Sequence, residues 1–211
     1  MVNTTDQTKE TFTEWMRKRT RGILEPIAGF FIKIGLMPNT MTILGLVGNI
    51  AGAIFLARGQ MFWGGVLILL MGPVDALDGT MARLKGMPTK FGGFVDSVTD
   101  RYSELFIFGG LLFYYFQEQY LPGILLVYAA ASGSILVSYI RARGQSLGWD
   151  TKVGILTRME RYLVLVPALI LNIPLVGLAI IAVFANFTAI QRIIDIRRQA
   201  TRPDHENGRY Y

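Results

Sequence analysis

The 211-residue chain is 52% hydrophobic, carries 17% charged residues and has a mean hydropathy of +0.39, a balance that argues against a soluble globular domain and for an integral membrane protein. Its formal net charge of +6, from 21 Lys and Arg against 15 Asp and Glu, suits anionic lipid; with no base-reading motif or aromatic-basic stripe, the chain does not point to nucleic acid. No cysteine is present, which excludes disulfides, thiolate metal ligands and a cysteine nucleophile, so any metal must be held by oxygen.

At the N-terminus, MVNTTDQTKETFTEW has neither the basic start nor the short apolar region and small-residue cleavage site of a secretory signal, and it is read as retained. From Thr11 to Gly35, Phe12, Trp15, Ile23 and Leu24 are interleaved with the basic run Arg17 to Arg21, which predicts an amphipathic helix in the membrane interface. Residues 1–36 form this juxtamembrane segment. In MPNTMT, Pro38 and Asn39 predict a turn and Thr40 is placed to cap the following helix. Apolar stretches then predict six membrane-spanning helices, at Thr40–Ala57, Met61–Lys85, Gly92–Phe116, Leu121–Arg143, Arg158–Leu171 and Pro174–Arg198, within a membrane domain covering 37–198. Residues 199–211 read as a disordered polar tail holding the single histidine, His205, which is given no catalytic role. The expected fold is an all-α integral membrane protein, six transmembrane helices plus an N-terminal juxtamembrane amphipathic helix.

Lys and Arg alternate along these spans. They occur at the N-terminus, between spans two and three (Lys85, Lys90), between four and five (Lys152) and at the C-terminus (Arg197, Arg198, Arg202). The opposite turns near Gln117–Tyr120 and Asn172–Ile173 have none, and Arg58 is the one exception. By the positive-inside rule both termini face the cytoplasm of a multi-pass protein in the cell membrane.

Between spans two and three lies PVDALDGTMARLKGMPTKFGGFVDSVTDRYSE, with four aspartates. Asp75 and Asp78 are three apart and Asp96 and Asp100 four apart, so each pair shares one face of its own helix, and two helices can aim four carboxylates at one point. Ionisable groups at membrane depth are costly unless paired or cation-bound, and carboxylates cannot neutralise one another. Salt bridges to Arg83, Lys85, Lys90 and Arg101 would account for one or two acids but not for four that converge. A hard divalent cation, Mg²⁺ or Mn²⁺, offsets the repulsion, and two ions sharing carboxylates offset it better. Because Mg²⁺ often bridges carboxylates to substrate phosphates, the site points to phosphate chemistry, with Gly79 and Ala82 leaving room for a bulky ligand. A cation transporter with an acidic site is the non-enzyme alternative, and it gives no reason for the Gly, Ala and Arg around the acids.

The pattern Asp75-x-x-Asp78-Gly79-x-x-Ala82-Arg83, eight residues, then Gly92-x-x-x-Asp96-x-x-x-Asp100, resembles at every fixed position the signature of the CDP-alcohol phosphotransferases. The resemblance implies six transmembrane helices, usually a homodimer, and transfer of a phosphatidyl or similar group from a CDP-linked donor to an alcohol with release of CMP. It further implies that Asp75, Asp78 and Asp96 bind a pair of metal ions, and that Asp100 contacts the second ion and is the general base. Gly79, Ala82, Arg83 and Thr89 would surround the CDP moiety, with the turn Asn39, Thr40, Met41 and Thr42 joining the same donor site.

The acceptor is read from the second half of the chain. Arg141 and Arg143, Arg161, and Arg192 lie at the expected cytoplasmic ends of spans four, five and six, and arginines around one cavity suit an acceptor that carries a phosphate. Ordinary positive-inside residues at lipid headgroups are the competing reading. SYIRAR, ERY and QR look like the corresponding stretches of phosphatidylinositol phosphate synthases, in which basic residues at these positions bind the acceptor phosphate. Thr157 and Met159 depart from the ERPER-like pattern there. That resemblance implies CDP-diacylglycerol or a related CDP-lipid as donor and inositol 1-phosphate as acceptor. The alternative is phosphatidylglycerophosphate synthase or another acceptor alcohol.

Overall fold

The computed structural model describes residues 12–86 and 89–201, and for residues 12–21 the backbone alone. Among these residues the chain forms seven α-helices: α1 Phe12–Lys33, α2 Pro38–Ala57, α3 Met61–Leu84, α4 Lys90–Gln117, α5 Leu121–Ser146, α6 Arg158–Ile170 and α7 Pro174–Ala200. Helices α2 to α7 lie where the six spans were expected, with ends shifted by at most a few residues. The expected tail from residue 202 on lies outside the described residues.

The start of α2 corrects the expected turn. Met37 is the extended N-cap and Pro38 is already the first helical residue. Proline is suited to that position because its missing N–H would have no partner there and its φ is preset for the helix. Thr40 therefore lies inside the first turn rather than capping it.

Four helices, α2, α3, α5 and α7, are long and apolar enough to cross a membrane. Large apolar side chains such as Ile43, Val47, Leu70, Leu125 and Val183 are exposed along them, as expected where the solvent is lipid. The other two expected spans differ for distinct reasons. In α4, Lys90, Asp96, Asp100, Arg101 and Glu104 crowd the first half, and α6 has only 13 residues, about 20 Å at the helical rise.

The helices pack as α2 on α3 and α4, α5 on α4 and α7, and α6 on α3 and α7, while α1 lies on α3. Between membrane helices close approach replaces the hydrophobic effect, so small residues mark the contacts. At Gly110 of α4 an added Cβ would stand 2.4 Å from the Ala53 carbonyl oxygen of α2. Gly133 of α5 faces Asn186 of α7, whose amide donates to the Ala129 carbonyl at 3.0 Å and the Ala182 carbonyl at 2.7 Å. One apolar core runs through α2 to α7, and a smaller one, built on Ala28, Met41, Leu77 and Met81, seats α1 beside the acidic end.

A proline inside α3 gives α6 an anchor point. Pro73, two residues before Asp75, has no N–H to give the Leu69 carbonyl. The Tyr162 hydroxyl of α6 reaches that oxygen at 3.0 Å and the Ile68 carbonyl at 2.7 Å, and Gly72 leaves it the space. Arg158 is one turn before Tyr162 on the same face, so the joint sets it over the acids.

Candidate active site

Three of the four aspartates converge. One carboxylate oxygen each from Asp75, Asp78 and Asp96 lies within 4.8 Å of the others, the pairing of the C-terminal turns of α3 with the N-terminal turns of α4 that the spacing predicts. Asp78 is buried, and it is oriented by the Thr42 hydroxyl of α2, which donates to Oδ2 at 2.6 Å, and by the Gly79 N–H, which donates to Oδ1. The donor set is all oxygen, preorganised and surplus in negative charge, so these residues fit a hard divalent cation and not a soft one.

Asp100 stands one turn further along α4 and is buried, outside that group of three. Its Oδ1 pairs with Arg158 Nη2, and its Oδ2 lies 3.8 Å from Arg101. Arg158 Nη2 also reaches Asp75 Oδ2 at 2.6 Å, bridging α3 and α4 from α6. Arg158 was not among the residues singled out from sequence. Its partner Asp75 is 83 positions away, and the packing of α6 on α3, with the Tyr162 hydrogen bonds as one anchor, brings the two together.

The expected donor residues flank the acids. Asn39 Oδ1 comes near Gly92, the first-turn residue of α4 whose N–H bonds the Thr89 hydroxyl at 2.9 Å, so Thr89 caps α4. An added Cβ at Gly79 would meet only an Arg83 guanidinium nitrogen, at 3.5 Å, and Arg83 in turn donates to Thr80 at 2.9 Å. Ala82 is half-buried and Thr40 exposed. Met41 differs, since its side chain is committed to the small apolar core under α1.

The arginines divide. Arg161 is buried, held by Glu104 through Nε at 2.8 Å and Nη2 at 3.2 Å. Arg192 is buried, donating to the Val153 carbonyl at 3.0 Å and the Val137 carbonyl at 2.6 Å. Arg141 and Arg161 are electrostatic neighbours of Arg192, and the buried Nε of Arg141 has no hydrogen-bond partner. Arg143, two positions from Arg141 and so turned well away on a helix, is exposed and pairs with Ser146 at 3.3 Å.

Residues 35–191 match the CDP-alcohol phosphatidyltransferase family. The chain belongs to that family. A phosphatidylinositol phosphate synthase of Streptomyces avermitilis is 35% identical over 213 residues, 93% of this chain and 86% of its own length. An archaetidylinositol phosphate synthase of Pyrococcus horikoshii is 33% identical over 190 residues, 87% of this chain and 96% of its own. Among solved structures, the phosphatidylinositol phosphate synthase of Mycobacterium tuberculosis with CDP-DAG bound superposes with a TM-score of 0.81 at 28% identity, covering 90% of this chain and 99% of that one. The same enzyme with manganese and citrate gives 0.78 at 29% identity, covering 89% and 93%. The protein is thus a transferase of a metal-dependent family with four helices able to cross a membrane, which sets aside the transporter reading.

Proposed function

We propose that this protein transfers the phosphatidyl group of CDP-diacylglycerol, or of a related CDP-lipid, to a hydroxyl of inositol 1-phosphate, giving phosphatidylinositol phosphate and CMP. The observation that carries the reading is the placing of Asp75, Asp78, Asp96 and Asp100 on α3 and α4 with Arg141, Arg161 and Arg192 gathered at the same end of the bundle. The names of the relatives point the same way.

Asp75, Asp78 and Asp96 would hold the metal. Two Mg²⁺ or Mn²⁺ ions bound there would polarise the donor diphosphate and stabilise the departing CMP. Asn39, Thr40, Thr42, Gly79, Ala82, Arg83 and Thr89 line the donor side, Met41 by its backbone. Asp100 takes the proton of the acceptor hydroxyl as the hydroxyl oxygen bonds to the lipid-bearing phosphorus and the bond from that phosphorus to CMP breaks. Arg141, with its unpartnered Nε, and the fixed Arg161 and Arg192 would bind the acceptor phosphate, and Arg143 would meet it from the rim.

The same reading takes 37–198 as one six-helix domain with α4 and α6 also crossing. It places α1 in the interface, the site and both termini on the cytoplasmic side of the cell membrane, and two chains in a homodimer. The short α6 is compatible with crossing because the segment before it is folded into the bundle. Thr151 and Leu156 are buried, and the Thr188 hydroxyl accepts the Ile155 and Leu156 N–H groups at 3.2 and 3.1 Å. Irregular backbone at membrane depth is tolerated where protein satisfies it in this way.

A screen for CMP release by the purified protein with CDP-diacylglycerol and Mg²⁺ tests the acceptor. Inositol 1-phosphate should support turnover, with glycerol 3-phosphate, serine and free inositol near background. Faster release with glycerol 3-phosphate would overturn the acceptor assignment.

A further inference from the structure

We infer that Arg158 is a built-in counter-cation that competes with the divalent metal for Asp75 and is drawn off by the acceptor phosphate, so that metal and acceptor load cooperatively. The inference rests on the metal and acceptor assignments above. One nitrogen, Arg158 Nη2, touches both Asp75 Oδ2 and Asp100 Oδ1. Asp75 is also one of the three carboxylates that converge, so the guanidinium and a metal ion draw on the same acid. Two cations drawn to one carboxylate repel each other.

Arg158 is built to move where its neighbour is not. Arg161, one turn further on, is 3% exposed and clamped by both oxygens of Glu104. The Arg158 side chain is 46% exposed, and among the described residues it forms ion pairs with Asp75 and Asp100. A guanidinium displaced from Asp75 keeps its charge and needs another anion. The anion this site is read to receive is the acceptor phosphate, placed by the neighbouring arginines. Binding of that phosphate removes the competitor for Asp75, and by linkage the metal in turn tightens the phosphate.

The test is Mn²⁺ binding to the purified full chain in detergent, read from the electron paramagnetic resonance signal of free Mn²⁺, without CDP-lipid and with or without inositol 1-phosphate. Arg158→Gln should bind Mn²⁺ roughly tenfold more tightly than the parent protein, and the tightening by inositol 1-phosphate seen in the parent should shrink. A merely structural arginine would give weaker binding on removal, so unchanged or weaker Mn²⁺ affinity in Arg158→Gln overturns the inference. Arg158→Lys, which keeps one charge but cannot bridge both acids, should fall between the two and decides the matter if Arg158→Gln does not fold. Asp78→Asn separates the two readings. If that substitution leaves Mn²⁺ binding intact, the metal assignment fails; if it weakens binding while the Arg158 variants match the parent, only the role of Arg158 fails.

Discussion

Thr42 carries more weight than its place in a turn motif suggests. Its hydroxyl donates to Asp78 Oδ2 at 2.6 Å and lies 3.3 Å from the Pro38 carbonyl, so it links the first turn of α2 to a carboxylate of α3. Hydrogen bonds to a charged group contribute about 1.5–3 kcal/mol. Thr42→Val, which keeps the shape and removes the donor, should therefore raise the Mg²⁺ concentration needed for half-maximal CMP release by roughly tenfold to a hundredfold. Thr42→Ser should stay near the parent value. If valine and serine behave alike, the hydroxyl does not orient the metal ligand. The four aspartates were legible from sequence because helical spacing is a local property. That Asp78 leans on Thr42, 36 positions away, was not legible as such, because it depends on how α2 crosses α3.

At the scale of elements, the helices were legible from hydropathy and their mutual placement was not. Apolar runs gave ends within a few residues, whereas Pro73 gave no sign that Tyr162 would cover the Leu69 carbonyl and carry Arg158 to the acids. The α2–α4 crossing offers a sharp test of the packing. Gly110 meets the Ala53 backbone, which cannot step aside, while its neighbour Gly109 has nothing within 4 Å of an added Cβ. Gly110→Ala should destabilise the fold by about 1–3 kcal/mol, the usual range for forcing a methyl into a filled contact. Gly109→Ala should be neutral or slightly stabilising, since alanine favours helix over glycine. Thermal unfolding of both variants in detergent checks the pair. Equal melting temperatures would mean that α2 and α4 do not approach as closely as described.

For the molecule as a whole, orientation follows from where the acids and arginines gather. α3 ends and α4 begins at the acidic site, and α6 enters there with Arg158, so the turns at 58–60, 118–120 and 171–173 fall at the opposite end of the bundle. That end is poor in Lys and Arg, with Arg58 alone, whereas Lys85, Lys90 and Lys152 flank the site. By the positive-inside rule, this charge bias supports the proposal that the site faces the cytoplasm. The chain has no cysteine, so single introduced thiols report topology without background. Glu118→Cys in the α4–α5 turn and Ile173→Cys in the α6–α7 turn should react with a membrane-impermeant maleimide on intact cells. Leu147→Cys, just past α5 and 49% exposed, should react only after the membrane is opened. Glu118 and Leu147 reacting from the same side would mean that α5 does not cross, and the reverse pattern would invert the orientation. Ile173 bears on the shortest helix. With 13 residues, α6 cannot reach across unaided, yet the packed segment before it, held by Thr188 and Arg192, begins its path inside the bundle. Labelling of Ile173→Cys from outside is therefore the result that a six-helix crossing requires, and labelling only from within would leave α6 and the start of α7 on the side of the active site.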